Sequence, residues 1–193
     1  MKYYRFHKPY GFLSQFTPEG KWQGLKEILN LPPDVYPLGR LDADSEGLLL
    51  LTNDKSINQQ LLNPKYAHLR KYIIQVEGEA QAFQLGVMTS GIELSIKGKK
   101  HFARAAHSEK EESPSWLEDR EPPVRVRKSV PDSWISMTLT EGKNRQVRRM
   151  TAAVGLPTLR LIRWSIEDLS IEGLKQGEIQ EIPEVDFKRL LRL

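Results

Sequence analysis

A carboxylate-rich loop bounded by glycines is the stretch of this sequence best suited to chemistry. The loop, residues 39–47, carries Asp42, Asp44 and Glu46. Glycine adopts backbone angles that other residues resist, so both ends of the loop can bend sharply. Four consecutive leucines follow at 48–51, and their lack of polar alternation predicts a strand buried on both faces. A carboxylate on a loop fixed to a buried strand is a rigid mount for catalysis.

Positive charge is concentrated in a later segment, residues 142–166, which contains no acidic residue. Its six basic residues are Lys143, Arg145, Arg148, Arg149, Arg160 and Arg163. The whole chain carries a net charge of only +4, so the remainder is net acidic. Such a concentration indicates a surface that meets phosphates. The alternative is an ordinary solvated face, but ordinary faces mix both signs of charge.

Composition excludes several classes of site. The 193 residues include no cysteine, which excludes a disulfide scaffold, a thiol nucleophile and a cysteine-type zinc site. The four histidines have no ligand spacing, so we expect no metal site, although carboxylates alone could hold magnesium. No apolar run is long enough to span a membrane, and the first residues do not begin a signal peptide. We therefore expect a cytoplasmic protein and, without an obvious assembly motif, a monomer.

Short strands and helices must position these residues. The predicted strands are 2–7, 12–16, 48–51, 71–77, 92–96, 124–127, 134–140 and 159–166. The predicted helices are 22–29, a segment from the Asn53–Asp54 cap to Pro64, 79–90, 145–154 and 185–191. Residues 109–123 are rich in acid, serine and proline, which predicts an exposed loop. The pattern indicates an α+β fold with a mixed, largely antiparallel sheet and flanking helices, as one domain, 1–193, of two closely packed subdomains.

Two short patterns match known motifs only in part. Residues 42–47 half-match a calcium-binding loop, but Asn53 stands where that loop needs a bidentate glutamate. Residues 146–163 suggest a helix-turn-helix, but its second helix would begin at Pro157 and run through a β-like segment. Neither calcium binding nor DNA reading is therefore predicted, and no glycine-rich phosphate loop of Walker or Rossmann type occurs.

Residues 39–54, GRLDADSEGLLLLTND, resemble the catalytic motif of the pseudouridine synthases, in the branch that acts on ribosomal RNA (RsuA, RluB, RluE and RluF). Three further matches keep the family's chain order. Residues 6–11 resemble its Lys-Pro-x-Gly motif, residues 70–72 the segment with the active-site tyrosine, and residues 141–150 the branch's C-terminal motif. Residues 145–163 are most similar to the RluE group, which acts on large-subunit rRNA and lacks the S4 RNA-binding domain. We expect the S4 domain to be absent here too.

The resemblance implies a pseudouridine-synthase catalytic fold with a central RNA-binding cleft. The activity it implies is that of an isomerase, an rRNA pseudouridine synthase specific for a site in 23S rRNA, either naked or in an assembling large subunit. The reaction breaks the bond between uracil N1 and ribose C1′, rotates the base and rejoins it through C5, with no metal or organic cofactor. The target base must leave its helix, so base flipping is implied. The alternatives are the same chemistry on small-subunit rRNA or tRNA, and a non-catalytic RNA-binding factor of ribosome assembly.

The motif matches also imply roles for single residues. Asp42 matches the essential carboxylate, whether it attacks the base or the ribose. Arg148 matches the basic residue that pairs with this carboxylate; the alternative is a phosphate contact. Tyr72 matches the tyrosine that stacks on the target base; the alternative is a core tyrosine on an alternating strand. Lys8 and Pro9 are expected to shape the loop beneath the site.

The remaining basic residues are predicted to hold RNA. Arg40 matches a position that fills the gap left by a flipped base, and it could equally bind phosphate. Contacts to the RNA backbone, which supply salt-dependent affinity, are predicted for Lys143, Arg145, Arg149, Arg160 and Arg163. The acidic loop 109–123 would repel RNA and is expected to face away from it.

Overall fold

The computed structural model describes residues 1–125, 127 and 129–193, and the chain divides into two compact units. Unit 1 comprises Met1–His68 and Ile162–Leu193, and unit 2 comprises Leu69–Leu161. The chain therefore passes from unit 1 into unit 2 and back again, crossing at only two points. Among the described residues, none of the helices is long and apolar enough to span a lipid bilayer.

Most elements in the described part of the chain are strands. They are β1 (Tyr3–Lys8), β2 (Tyr36–Leu38), β3 (Glu46–Thr52), β4 (Arg70–Glu77), β5 (Ile92–Ile96), β6 (Lys99–Ala103), β7 (His107–Glu111), β8 (Asp132–Leu139), β9 (Thr158–Ile166), β10 (Leu169–Ser170) and β11 (Ile179–Glu181). The α-helices are α1 (Lys55–Leu62), α2 (Ala82–Ser90), α3 (Gln146–Ala153) and α4 (Glu184–Leu191). Two 3₁₀ helices cover Leu25–Glu27 and Pro64–Tyr66.

Unit 1 is organised around β3, the run of leucines. The strand order is β11-β1-β3-β9, with β2 also paired to β3 and β10 to β9. The pairing of β3 with β9 is parallel, whereas β1 and β2 run antiparallel to β3. All seven residues of β3 are buried, as expected for an apolar strand covered on both faces.

Unit 2 contains a sheet, to which β9 contributes its residues up to Leu161, and a separate hairpin. Its strand order is β9-β4-β8-β7, where β8 pairs antiparallel with both β4 and β7. Strands β5 and β6 form the two-stranded hairpin. On β4, Tyr72, Ile74 and Val76 lie in one buried cluster with side chains of α2, β8 and α3. The prediction of an α+β fold with a mixed, largely antiparallel sheet is confirmed.

The segment before the central loop differs from the prediction. The predicted strand 12–16 is an irregular segment, and the predicted helix 22–29 is reduced to the 3₁₀ turn Leu25–Glu27. The backbone N–H groups of Leu25 and Lys26 donate to Gln15 O and Phe16 O instead of helical carbonyls. A Cβ at Gly24 would lie 2.3 Å from Phe16 O. This close approach of two segments replaces the helix.

Two strands of unit 2 also depart from the prediction. Strand β6 was not predicted, and β7 takes in the first residues of the predicted loop 109–123. Both strands are rich in charged residues and lack a clear apolar alternation, which is the main signal for a strand. The predicted strand 124–127 includes Val126, which lies outside the described residues.

Candidate active site

The loop that carries Asp42 is a tight turn in unit 1 with alternating burial. Asp42 is exposed, whereas its neighbours Leu41 and Ala43 are each 8% exposed. The backbone N–H of Ser45 donates to Asp42 O at 3.0 Å and closes the turn. The residues on both sides of Asp42 are therefore packed into the protein, while Asp42 itself is exposed.

An earlier segment fastens this turn by three hydrogen bonds. Leu41 N–H donates to Ser14 Oγ at 2.8 Å, and Ser14 Oγ–H donates back to Leu41 O at 2.9 Å. Two residues further along, Gly11 N–H donates to Ala43 O at 2.8 Å. The residues before and after Asp42 are thus both bonded to residues 11–14.

Gly47 joins the loop to the sheet at a point where no side chain fits. Its φ is +102°, and a Cβ there would lie 2.3 Å from Arg163 O and 2.6 Å from Arg163 N. Gly47 is the residue of β3 that lies opposite Arg163 of β9. The parallel pairing therefore depends on glycine at this position.

Lys8 lies at the end of β1 and is fully buried, at 0% exposed. Its Nζ donates to Pro9 O at 2.9 Å and to Phe12 O at 2.7 Å. Burial lowers the pKa of Lys8 to about 7, against the raising effect of the carboxylates Glu46 and Asp44. The lysine thus contacts the backbone of the segment that fastens the Asp42 turn.

Tyr72 occupies a nearly buried position on β4 in unit 2. It is 7% exposed and shares its face of the strand with Ile74 and Val76 in the hydrophobic core. The alternating strand was predicted, with Tyr72 either at the site or in the core. The structure places Tyr72 among the core residues of this strand. A ligand could touch only the small part of this side chain that stays accessible.

Helix α3 carries Arg148 and follows the basic turn at 142–145. Its buried residues include Val147, Met150 and Thr151, and Arg148 is half-buried. Thr151 Oγ1 donates to Arg148 O at 3.2 Å. The predicted catalytic residues therefore belong to different units, with Asp42 in unit 1 and both Tyr72 and Arg148 in unit 2.

Comparison with known proteins decides the family. The model of the family described as RNA pseudouridylate synthase matches residues 2–153. The chain belongs to the RNA pseudouridylate synthase family. It is 48% identical over 171 residues to ribosomal large subunit pseudouridine synthase E of Xanthomonas axonopodis pv. citri, covering 87% of each chain. It is 44% identical over 179 residues to the protein of the same name from Vibrio vulnificus, covering 92% of this chain and 73% of that one.

A more distant relative and a solved structure agree with this assignment. Ribosomal large subunit pseudouridine synthase B of Bacillus subtilis is 33% identical over 192 residues, covering 99% of this chain and 72% of its own. A crystal structure of a pseudouridylate synthase superposes with a TM-score of 0.75 at 23% identity, over 98% of this chain and 73% of that one. This structural likeness shows that the two chains share a fold.

For an RNA pseudouridylate synthase, exposed basic side chains are the candidates for holding RNA, and two predicted ones are not exposed. Arg160 and Arg163 are each 5% exposed. Arg163 Nε donates to Leu48 O at 2.8 Å, inside the sheet of unit 1. Both arginines lie on β9. The exposed basic face predicted for residues 142–166 is therefore wrong at these two positions, and we leave both arginines out of the RNA contacts proposed below.

The other predicted basic residues are accessible to different extents. Arg40, Lys143 and Arg145 are exposed, and Arg149 is half-buried. Arg149 Nη1 donates to Ser95 O at 2.9 Å, which joins α3 to the β5–β6 hairpin. Part of this guanidinium is thus used within unit 2.

The β5–β6 hairpin supplies basic residues that the sequence reasoning missed. Its two-residue turn is Lys97-Gly98, with φ values of +52° and +76°, the sign required by a type I′ hairpin turn. Lys97 and Lys99 are exposed. His101, on the same face of β6 as Lys99, has its Nε2 2.7 Å from Glu141 Oε1. The hairpin therefore lies beside the basic turn 142–145, and the turn sequence Lys-Gly after residues 92–96 was the signal that could have found it.

Proposed function

We propose that this chain isomerises a uridine to pseudouridine in large-subunit ribosomal RNA. The observation that carries the proposal is 44–48% identity to relatives named ribosomal large subunit pseudouridine synthase E, over 87–92% of this chain. The exposed carboxylate on a fastened turn supports the same activity. That the protein works as a cytoplasmic monomer, without a metal ion or organic cofactor, stays a prediction.

Asp42 is the residue proposed to start the reaction. The glycosidic bond between N1 and C1′ breaks, and a bond between C5 and C1′ forms. C5 loses its proton and N1 gains one, so the reaction needs no external reactant. A carboxylate held by buried backbone on both sides keeps its place while the base rotates. The burial of Leu41 and Ala43 around the exposed Asp42 supports this role.

Arg148 and Tyr72 are proposed as partners of Asp42. An arginine beside a carboxylate favours its ionised form and fixes its orientation. The motif match is what assigns this role to Arg148. Tyr72 is proposed to contact the flipped base through the small part of the residue that stays accessible. Both residues lie in the segment that the family model matches, residues 2–153.

The proposed surface that holds RNA in unit 2 combines the turn before α3 with the β5–β6 hairpin; we name it the hairpin surface. Its members are Lys97, Lys99, Lys143, Arg145 and Arg149. The bond between Arg149 Nη1 and Ser95 O and the contact of His101 with Glu141 place the two segments side by side. Side-by-side cations supply affinity for the sugar-phosphate backbone and little sequence information. In unit 1, exposed Arg40 is proposed to contact RNA next to Asp42.

Pseudouridine mapping on unmodified large- and small-subunit rRNA tests the proposal. We expect the wild-type protein to form one pseudouridine in large-subunit rRNA and Asp42→Asn to form none. Asp44→Asn, which makes the same chemical change two residues away, is the matched control and should stay active. RNA binding by Asp42→Asn should persist, since the exchange alters one exposed side chain.

The outcomes separate the parts of the proposal. A product in small-subunit rRNA or tRNA would keep the chemistry and refute the substrate. Full activity of Asp42→Asn would remove Asp42 from its role. Binding without any product, on naked rRNA and on assembling particles alike, would favour a non-catalytic RNA-binding factor.

A further inference from the structure

We propose that Ser14 is a positioning residue for catalysis, because its hydroxyl fixes the backbone immediately before Asp42. This inference rests on the proposed role of Asp42. Ser14 lies 27 residues before Leu41 in the chain, outside the motif that carries the carboxylate. It acts through Leu41 and touches no reacting atom.

The Ser14 hydroxyl acts as both donor and acceptor toward a single residue, Leu41. Ser14 Oγ accepts from Leu41 N at 2.8 Å and donates to Leu41 O at 2.9 Å. A hydroxyl offers one donor together with acceptor lone pairs, so a single atom satisfies both backbone groups of Leu41. Ser14 and Leu41 are each 8% exposed, so water cannot easily replace either bond. Both φ and ψ of the residue before Asp42 are thereby restrained.

The segment that holds Ser14 is itself anchored. Leu13 N–H donates to Gln23 O at 2.8 Å, and Leu25 N–H donates to Gln15 O at 2.8 Å. Bonds on both sides of Ser14 therefore tie its backbone to residues 23–25. A hydroxyl on an anchored segment can hold the Asp42 turn at a fixed place, which a hydroxyl on a loose loop could not do.

Ser14→Ala is the variant that removes the two bonds. Leu41 N–H and C=O would then be buried without their partner, and the turn would shift or open. We expect the single-turnover rate at saturating RNA to fall by about 10- to 100-fold, since a displacement of about 1 Å can cost on that order. The dissociation constant for RNA should stay unchanged, because Ser14 lies beneath the surface. Ser14→Thr keeps the hydroxyl and should restore most of the rate.

Thr52 provides a matched control in the same unit. Its Oγ1 donates to Lys2 O at 2.6 Å and accepts from Asp54 N at 3.0 Å, and it is 0% exposed. Thr52→Val therefore also removes one donated and one accepted bond of a buried hydroxyl, at the end of β3 that lies away from the Asp42 turn. It should lower the melting temperature as Ser14→Ala does, yet keep the wild-type rate at a temperature where both variants are folded.

Hydrogen exchange of the peptide that covers residues 41–45 gives a readout independent of turnover. Faster exchange there in Ser14→Ala, with no change in Thr52→Val, supports the inference, as does a rate loss confined to Ser14→Ala and reversed by Ser14→Thr. Unchanged exchange in Ser14→Ala, or an equal rate loss in Ser14→Ala and Thr52→Val, would overturn it. Failure of the wild-type protein to form pseudouridine would instead refute the proposed function, whatever the exchange shows.

Discussion

The hairpin surface predicts a defined change in the salt dependence of RNA binding. The variant is Lys97→Asn combined with Lys99→Gln, which removes two exposed charges next to the basic turn 142–145. Asparagine suits position 97 because it tolerates the left-handed backbone that Lys97 adopts, with φ of +52°. The hairpin should therefore keep its turn while losing its cations.

The magnitude follows from counterion release. Each phosphate contact to single-stranded nucleic acid contributes about 0.7 to the slope of log K against log salt, so losing two contacts should lower the slope by about 1.4. When salt rises from 50 to 200 mM, the dissociation constant of the variant divided by that of the wild-type protein should fall by about sevenfold. The variant should therefore bind much more weakly at low salt and approach the wild-type affinity at high salt.

The assay is filter binding of a large-subunit rRNA fragment at four salt concentrations. Lys26→Gln combined with Lys55→Gln is the control, because it removes the same charge from two exposed lysines of unit 1. The control should keep the wild-type slope. An unchanged slope in the hairpin variant, or an equal decrease in the control, would show that Lys97 and Lys99 make no phosphate contacts of their own.

Two further predictions concern stability. Gly47→Ala should destabilise unit 1 by more than about 4 kcal/mol, because its Cβ would meet the Arg163 backbone at 2.3 Å. The control is Gly173→Ala, which is also at positive φ but has no atom within 4 Å of the added Cβ, and it should cost only about 1–2 kcal/mol. Equal melting temperatures for the two variants would refute the steric argument. In the folded protein the pKa of Lys8 is about 7, below its ordinary value of 10.5, so between these two values the unfolded chain binds more protons than the folded one. The free energy of unfolding should therefore rise with pH in this range, by at most about 1.4 kcal/mol per pH unit, and Lys8→Met should remove that rise. Urea unfolding between pH 6 and 10 measures it, and the same pH dependence of the unfolding free energy in both proteins would contradict the prediction.

The fold was predictable where periodicity is strong and local. Strand β4 alternates over most of its length, β3 contains four consecutive leucines, and α3 has buried residues at helical spacing, so each of these elements was predicted. The helix expected over 22–29 has the same spacing of apolar residues, but the approach of Gly24 to Phe16 O at 2.3 Å overrides it. That contact joins residues far enough apart that no local pattern reports it. The prediction missed the charged strands β6 and β7 because their composition does not suggest a strand. They form strands because they pair with their neighbours.

The charge pattern of the site was a weaker guide than its motif. Six basic residues without an acid between them indicated one exposed face, yet the structure buries Arg160 and Arg163 on β9 and uses part of Arg149 to join α3 to the hairpin. A count of charges cannot distinguish an arginine that donates to a carbonyl from one that faces solvent. The exposed lysines of the hairpin lie more than 40 residues earlier in the chain, and only the fold brings them beside the basic turn.

The same distinction applies to the candidate catalytic loop. Its candidate chemistry can be predicted from residue types alone, because the sequence shows a carboxylate between two glycines, followed by an apolar strand. Its rigidity lies in contacts between distant residues: Ser14 with Leu41, Gly11 with Ala43, and Gly47 with Arg163. Ser14 is an ordinary hydroxyl in an irregular segment, and only the two bonds it makes to one buried residue mark it. If those bonds set the rate, the determinants of this loop extend beyond its motif to residues 11–14, and Ser14→Ala should slow the reaction while leaving Asp42, Tyr72 and Arg148 chemically intact.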